Sequence, residues 1–431
     1  MNPAKKTIIS GNKPISTMTA ALVCLLFAAY LAATNRWFAW QDGVRFLFGQ
    51  DVNDYLKLAV AAPSIDYSGS DVAFHKIQRF FPNWLTGMSA IMFGTSPERA
   101  FAVLCAITAT VTVYIWHRIF VLFKLGFVPY FLFMGLLFLN NYFFRYHAIV
   151  PGMYQGLFFL LGLSLFYYGL LSGGNTITCA GMIIGILGRQ TMLFALPGLW
   201  ILAFYSIISA SEPKKLFLKS IIPASIVTIA ALSIYFLTAR HARTVGADSQ
   251  NVAHITAVFA WTATNTIKNG IFNTIIALLD QTFRAFLPVL VPVLVALIVM
   301  TKNILNKSVG IKHPEQHFAL WLTVVMMSAQ PILAGPEITE KSGSRLGSFS
   351  LVPAIVSLCI LVRDKNLLHG FVMTTSMMVY SCIALCLYSI HHMYTSIGPG
   401  TAQGMLACQL GASLIFLFII FYGSIPVKNR R

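Results

Sequence analysis

Apolar stretches long enough to cross a bilayer recur along the whole chain, at residues 15–34, 99–116, 127–144, 151–172, 177–188, 192–208, 217–238, 285–300, 317–334, 346–362, 371–390 and 404–423. A helix crosses the hydrocarbon core in about 20 residues and satisfies its own backbone hydrogen bonds on the way, which irregular chain in lipid does not. The pattern predicts an all-α integral membrane protein with about twelve transmembrane helices, folded over residues 1–431 as a single polytopic membrane domain. Composition excludes the soluble alternative: 57% of the 431 residues are hydrophobic and 10% are charged, too little charge to coat a soluble fold.

Basic residues set the expected orientation, because Lys and Arg collect at the cytoplasmic ends of spans while acids contribute little. Alternate segments carry Lys5, Lys6 and Lys13; Arg118 and Lys124; Lys214, Lys215 and Lys219; Lys302, Lys307 and Lys312; Arg363 and Lys365; and Lys428, Arg430 and Arg431. Both termini are therefore expected in the cytoplasm. Asp42, Asp51, Asp54, Asp66, Asp71, Asp248, Asp280, Glu337 and Glu340 fall to the outer face. The net charge of +17 follows from this asymmetry and suits anionic membrane lipids, and no basic domain is present to bind nucleic acid. Lys5 and Lys6 precede a run of spanning length without a small-residue cleavage site, so an uncleaved first helix is expected. All seven cysteines lie within the expected spans, which implies no disulfide framework.

Two long outer segments, 35–98 and 239–284, are the places for chemistry. In the first, Trp37 and Trp40 read as interfacial anchors. Val52, Tyr55, Leu56 and Ala59 then fall at i, i+3, i+4 and i+7, predicting a helix over about 51–61 that lies on the membrane with Asp51 and Asp54 on its polar face. Pro63 ends it, Ser68-Gly69-Ser70 turns the chain, and the basic run His75-Lys76-Ile77-Gln78-Arg79 leads through Pro82 to a second short amphipathic stretch. Elsewhere Arg189 is flanked by apolar runs, where a charge is costly unless it faces a polar cavity. His391-His392 has no third ligand at metal spacing and reads as a surface or lumen feature. Arg145-Tyr146-His147 and Arg240-His241-Ala242-Arg243 carry no assignable role from sequence.

Gly49, Asp51 and Tyr55 form a Gly-x-Asp-x-x-x-Tyr pattern beyond the first span, and Arg79-Phe80-Phe81-Pro82 supplies Arg-x-x-Pro before the second. With Gly188-Arg189-Gln190-Thr191 and with Arg345 ahead of Leu351-Val352-Pro353, the chain resembles bacterial multi-span glycosyltransferases of the GT-C superfamily, best over its first third. The resemblance implies a bacterial inner-membrane enzyme with a periplasmic active site. Its donor would be a polyprenyl-phosphate-linked sugar and its acceptor a cell-envelope glycan or glycolipid. No soluble outer domain follows the last span, a departure from many such enzymes that leaves the acceptor's seat undefined.

A polyprenyl phosphate leaves readily as an anion, so one carboxylate suffices to deprotonate the acceptor, whereas glycoside hydrolysis takes two. Asp51 is the expected general base, its pKa raised by partial desolvation; Asp54 would assist or bind a divalent cation, Mg or Mn, the one cofactor left open. Arg79, Arg189, Arg345 and His75 would hold the donor phosphate. An O-antigen-type polysaccharide polymerase and, with less support, a transporter or flippase stand as alternatives; the acids lie away from the bilayer midplane and no internal repeat is apparent, which tells against transport.

Overall fold

The computed structural model describes residues 15–38, 50–208, 213–245, 251–297, 313–364 and 375–423. Within them the regular structure is helical, and Asn35 meets Thr395 in an isolated antiparallel bridge. In chain order the helices are α1 (Thr17–Thr34), α2 (Gln50–Val60), α3 (Phe74–Ile77), α4 (Phe80–Met92), α5 (Pro97–Leu122), α6 (Phe127–Phe138), α7 (Phe144–Ile149), α8 (Tyr154–Ser172) and α9 (Asn175–Gly188). They continue as α10 (Leu196–Ile208), α11 (Pro213–Thr244), α12 (Asn251–Asn269), α13 (Ile271–Phe286), α14 (Pro314–Leu333), α15 (Pro336–Gly347), α16 (Leu351–Arg363), α17 (Thr375–Tyr388) and α18 (Ala402–Gly423). Gly49 and the basic terminal residues Lys5, Lys6, Lys13, Lys428, Arg430 and Arg431 lie outside the described residues, as do Ala39, Trp40, Asp42 and Asp248.

Among the described residues, eight helices are long and apolar enough to cross a membrane: Thr17–Thr34, Pro97–Leu122, Pro151–Ser172, Gln190–Ile208, Leu218–Thr244, Ile271–Leu297, Ser342–Arg363 and Ala402–Ile419. The chain is thus an all-α, multi-pass membrane protein, but the expected count of about twelve spans is not supported. Three of the missing spans, Phe127–Phe138, Asn175–Gly188 and Met377–Tyr388, are apolar but only 10–17 residues long. At 1.5 Å per residue a 12-residue helix such as α6 rises about 18 Å, well short of the ~30 Å core. In α14, Gln316, His317 and Gln330 dilute the apolar run, and it is not among the eight.

The second outer segment also differs from expectation. Residues 239–284 hold the end of α11, all of α12 and most of α13 rather than a loop, and the span expected at 285–300 begins at Ile271. Asp280 and Arg284 cut this stretch in a hydropathy reading. In the helix they stand one turn apart and pair at 2.7 Å, a contact that adds about 0.2–0.5 kcal/mol to the helix.

Glycines set how closely α8 and α9 approach. A side chain at Gly181 would run into the Phe166 backbone, and one at Gly188 would meet the Phe159 nitrogen at 2.6 Å. Close helix contact through small residues is a common substitute in membranes for the hydrophobic drive available in water. Beside this pair lies α16, buried at every position from Leu351 to Leu361. Ser342–Arg363 is the most enclosed of the eight candidate spans, with 89% of its window buried. Leu22, Leu25 and Leu26 of α1, Ile226, Ile229 and Phe236 of α11, and Leu414 and Phe418 of α18 face outward, as a lipid-facing surface requires.

A second, smaller apolar cluster holds the first outer segment on the bundle. It joins Val52, Tyr55 and Leu58 of α2 and Ile77 of α3 to Tyr146 and Ile149 of α7, Met153, Ala242 and Tyr394. Of the expected 52/55/56/59 face, Val52, Tyr55 and Ala59 are buried and Leu56 is partly buried, and the face covers the protein's own core, with Leu58 and Ile77 fully buried. Each of those two aliphatic side chains contributes roughly 1.5–3 kcal/mol by burial.

Candidate active site

Asp51 lies in the first turn of α2 and Asp54 one turn later, so the two carboxylates share a helix face. Between them sits Lys76 of α3, whose Nζ is 2.6 Å from Asp51 Oδ1 and 2.6 Å from Asp54 Oδ2. Asp54 was expected on a solvated face; it is only 3% exposed and is fixed by this bridge. The Asp51 side chain remains 46% exposed and is the accessible member of the pair. Lys57 reaches Asp71 and also approaches Asp54, tying α2 to the turn ahead of α3.

The expected upward shift at Asp51 is reversed. Burial acts to raise its pKa, but the hydrogen bond and charge of Lys76, followed by Arg345 and His75, outweigh it and hold the carboxyl below its ordinary value. Lys76 responds in the opposite sense: burial acts to lower its pKa, and the two aspartates raise it above the ordinary lysine value. The group is an anion at neutral pH whose charge is set by neighbours rather than by desolvation.

Arg79 is positioned just ahead of α4 and donates from Nε to Gln190 Oε1 at 2.9 Å. That bond joins the first outer segment to the break between α9 and α10. Arg189 sits in that break with extended backbone, its amide donating to Gly185 O at 2.8 Å. The residue is 6% exposed, its guanidinium carbon lies 5.5 Å from the centre of the Phe349 ring, and its Nε has no hydrogen-bond partner. Burial, then Arg79, with Arg345 further down, pushes the Arg189 pKa down. Arg345 donates from Nη1 to Tyr146 Oη at 2.8 Å and from Nη2 to Ser342 Oγ at 3.0 Å; its Nε is likewise buried without a partner.

The structure therefore brings four of the expected residues into one electrostatic neighbourhood. Arg79 and Arg345 both act on Arg189, and Arg345 acts on Asp51. His75, expected at the phosphate with the arginines, exerts its effect at Asp51. Among the described residues no ion pair joins Arg79, Arg189 or Arg345 to a carboxylate. Asp51 offsets part of the repulsion at Arg345, while Arg189, within reach of two other guanidiniums, has no paired carboxylate among the described residues; an anion bound beside it would relieve that cost.

Three contributors carried no sequence signal beyond their type. Lys76 was one residue in a basic run, Gln190 one in a Gly-Arg-Gln-Thr quartet, and Tyr146 had no assigned role. Their positions depend on pairing over 22, 111 and 199 residues of chain. Beside Tyr146, His147 is buried with Nδ1 2.7 Å from Phe143 O and Nε2 3.2 Å from Met153 O, and burial first, with Arg345 and Arg189 adding, lowers its pKa to about 4. Arg145 points elsewhere, donating to Asn35 Oδ1 at 2.6 Å and Thr34 Oγ1 at 3.0 Å at the end of α1. His391, read from sequence as a surface or lumen feature, is buried and stacked on Tyr394 with ring centres 3.9 Å apart. His241 packs its ring against Phe80 and Tyr67 and so fastens α11 to the first outer segment.

Set against protein-family models, curated proteins and solved structures, the chain matches none of them.

Proposed function

We propose that this protein is an inverting glycosyltransferase of GT-C type, moving a sugar from a polyprenyl-phosphate donor to a glycan or lipid acceptor at the outer membrane surface. One observation carries the reading: Arg79 and Arg345, from distant parts of the chain, both lie within electrostatic reach of Arg189, and Arg345 lies within reach of the accessible carboxylate of Asp51. A phosphate among the arginines would stand beside a carboxylate able to take up a proton, which is the charge arrangement that group transfer from a lipid phosphate requires.

In the proposed reaction the acceptor hydroxyl oxygen forms a bond to the anomeric carbon as the bond from that carbon to the phosphate oxygen breaks. The hydroxyl proton passes to Asp51. The electron pair of the broken bond leaves with the phosphate, where the planar guanidiniums offer paired, charge-assisted donors. Attack from the face opposite the phosphate inverts the anomeric centre.

Transfer from purified polyprenyl-phosphate sugars tests the reading, with donor binding measured alongside. Asp51→Asn keeps the size of the side chain but loses the base, so donor binding should persist while turnover falls by roughly 100-fold or more. Arg189→Lys and Arg345→Lys keep charge and lose the fork, so both should weaken donor binding. Normal transfer in all three variants would remove these residues from the reaction.

A further inference from the structure

The pair Asp51 and Asp54 invites a divalent cation, and the site answers differently. Oxygen-rich cages for Mg or Mn present six ligands, mostly carboxylate, carbonyl and water, around one point. Here the point between the two carboxylates is taken by the Lys76 ammonium, 2.6 Å from an oxygen of each. Among the described residues no group of three or more His, Cys, Asp or Glu side chains is placed to hold a metal. The residues present do not fit a resident divalent ion.

We propose that Lys76 is the built-in cation of this site, a positioning residue that stands where a divalent metal would otherwise bridge Asp51 and Asp54. The proposal rests on the transferase reading for its chemical purpose and on the geometry of α2 and α3 for its substance. Two carboxylates one turn apart on a helix repel each other and an approaching phosphate. One ammonium between them leaves the trio with a single net negative charge. A divalent ion would cancel both charges and bind the Asp51 carboxylate more firmly, leaving it a poorer proton acceptor. Lys76 is 7% exposed and Asp54 3%, so their bond is shielded from water and from salt, and it anchors the ammonium. Asp51, at 46% side-chain exposure, is held at Oδ1 in one orientation while its carboxylate stays open to a substrate.

The test uses the full-length protein in nanodiscs. Free Mn(II) is followed by its paramagnetic resonance during titration, and sugar transfer is measured with and without EDTA. Lys76→Met removes the ammonium at nearly constant length and should bind Mn(II) at least about tenfold more tightly than the wild type, because the two carboxylates then face one point without their shared cation, Lys57 lying 3.8 Å from Asp54 and pairing with Asp71. Adding Asp54→Asn should abolish that increase. Lys76→Gln, with a polar side chain in place of the ammonium, gives the same comparison should the first variant fold poorly. Wild-type transfer should be indifferent to EDTA, and Lys76→Met transfer should vanish in EDTA and return with Mn(II) only to a rate below that of the wild type, because the bound ion weakens Asp51 as a proton acceptor. Equal Mn(II) binding by wild type and both Lys76 variants would overturn the proposal, as would wild-type transfer that stops in EDTA. A wild type that transfers no sugar under any of these conditions defeats the transferase reading instead, and the Mn(II) titration still decides what Lys76 does.

Discussion

Single side chains here act through partners that share little sequence with them. Arg345 takes its orientation from Tyr146 Oη, 2.8 Å away, and from Ser342. Tyr146→Phe deletes that acceptor and little else; hydrogen bonds to charged groups contribute about 1.5–3 kcal/mol, so donor KM should rise roughly tenfold with smaller change in kcat. A Tyr146→Phe enzyme with unchanged donor KM would show that Arg345 does not depend on this bond for donor use. The carboxylate makes a separate prediction. Its neighbours hold Asp51 below the ordinary aspartate value, so it stays ionised as pH falls. The acid limb of kcat/KM should then lie below about pH 4, where an unperturbed aspartate would titrate. An acid limb near pH 6 would mean that another group is the base. Asp51 itself was legible in the sequence, as a carboxylate after Gly49 at the start of a period-3.6 pattern. The direction of its pKa was not, because the cation that sets it comes from α3.

Helices of the first outer segment form where the spacing of Val52, Tyr55 and Ala59 places them, since periodicity records which face is buried. What covers that face is a tertiary fact. The cluster of Tyr146, Ile149, Met153 and Ala242 is assembled from α7, the turn before α8, and α11, and no local pattern announces it. The same limit applies to α13, where Asp280 and Arg284 pair one turn apart within a helix that runs through a stretch read from sequence as loop. The Lys76 bridge between α2 and α3 has a pH window set by its own shifts. Asp51 is depressed and Lys76 raised, so the bridge stabilises above the ordinary aspartate pKa of about 3.9 and below the ordinary lysine pKa of about 10.4. That contribution is lost as pH falls through the depressed aspartate value or rises through the raised lysine value. Amide exchange in residues 50–60, corrected for intrinsic rates, should stay slow inside this window and quicken beyond both ends. Uniform protection across the range would separate the bridge from the order of α2. Helix contact makes its own demand at Gly188, where an added Cβ would meet the Phe159 backbone nitrogen at 2.6 Å. Gly188→Ala forces α9 off α8 at the residue before Arg189; overpacking of this kind costs about 1–3 kcal/mol. A lower unfolding temperature in detergent together with weaker donor binding is expected, and an unchanged unfolding temperature would show that the contact relaxes freely.

At the scale of the whole molecule, hydropathy reveals the membrane class, while eight helices among the described residues are long and apolar enough to span, fewer than the expected twelve, because hydropathy registers apolar content and not helix length. Phe127–Phe138 is as apolar as any span, yet it has 12 residues and leads into the buried turn and helix that carry Tyr146 and His147. Short helices of this kind bring polar side chains inside the bundle, which is how an arginine as enclosed as Arg189 comes to lie against the Phe349 ring rather than in lipid. The active site proposed for the outer surface also commits the chain to one orientation. Basic residues such as Arg118 and Lys124 mark the opposite side from Asp66 and Asp71 under the positive-inside rule. Lys57 pairs with Asp71 and Lys76 with Asp51 and Asp54, so the acid-bearing turn and the proposed site are parts of one packed unit on one side of the membrane. A thiol replacing Asp66, which is fully exposed, reports that side. In a background with the seven native cysteines replaced, Asp66→Cys should react with a membrane-impermeant maleimide in intact cells, and Lys124→Cys only after permeabilisation. The reverse pattern would put Asp51 and its lysine in the cytoplasm, where a donor presented at the outer leaflet cannot reach them, and the transferase reading would have to be rebuilt around a donor supplied from the inner leaflet.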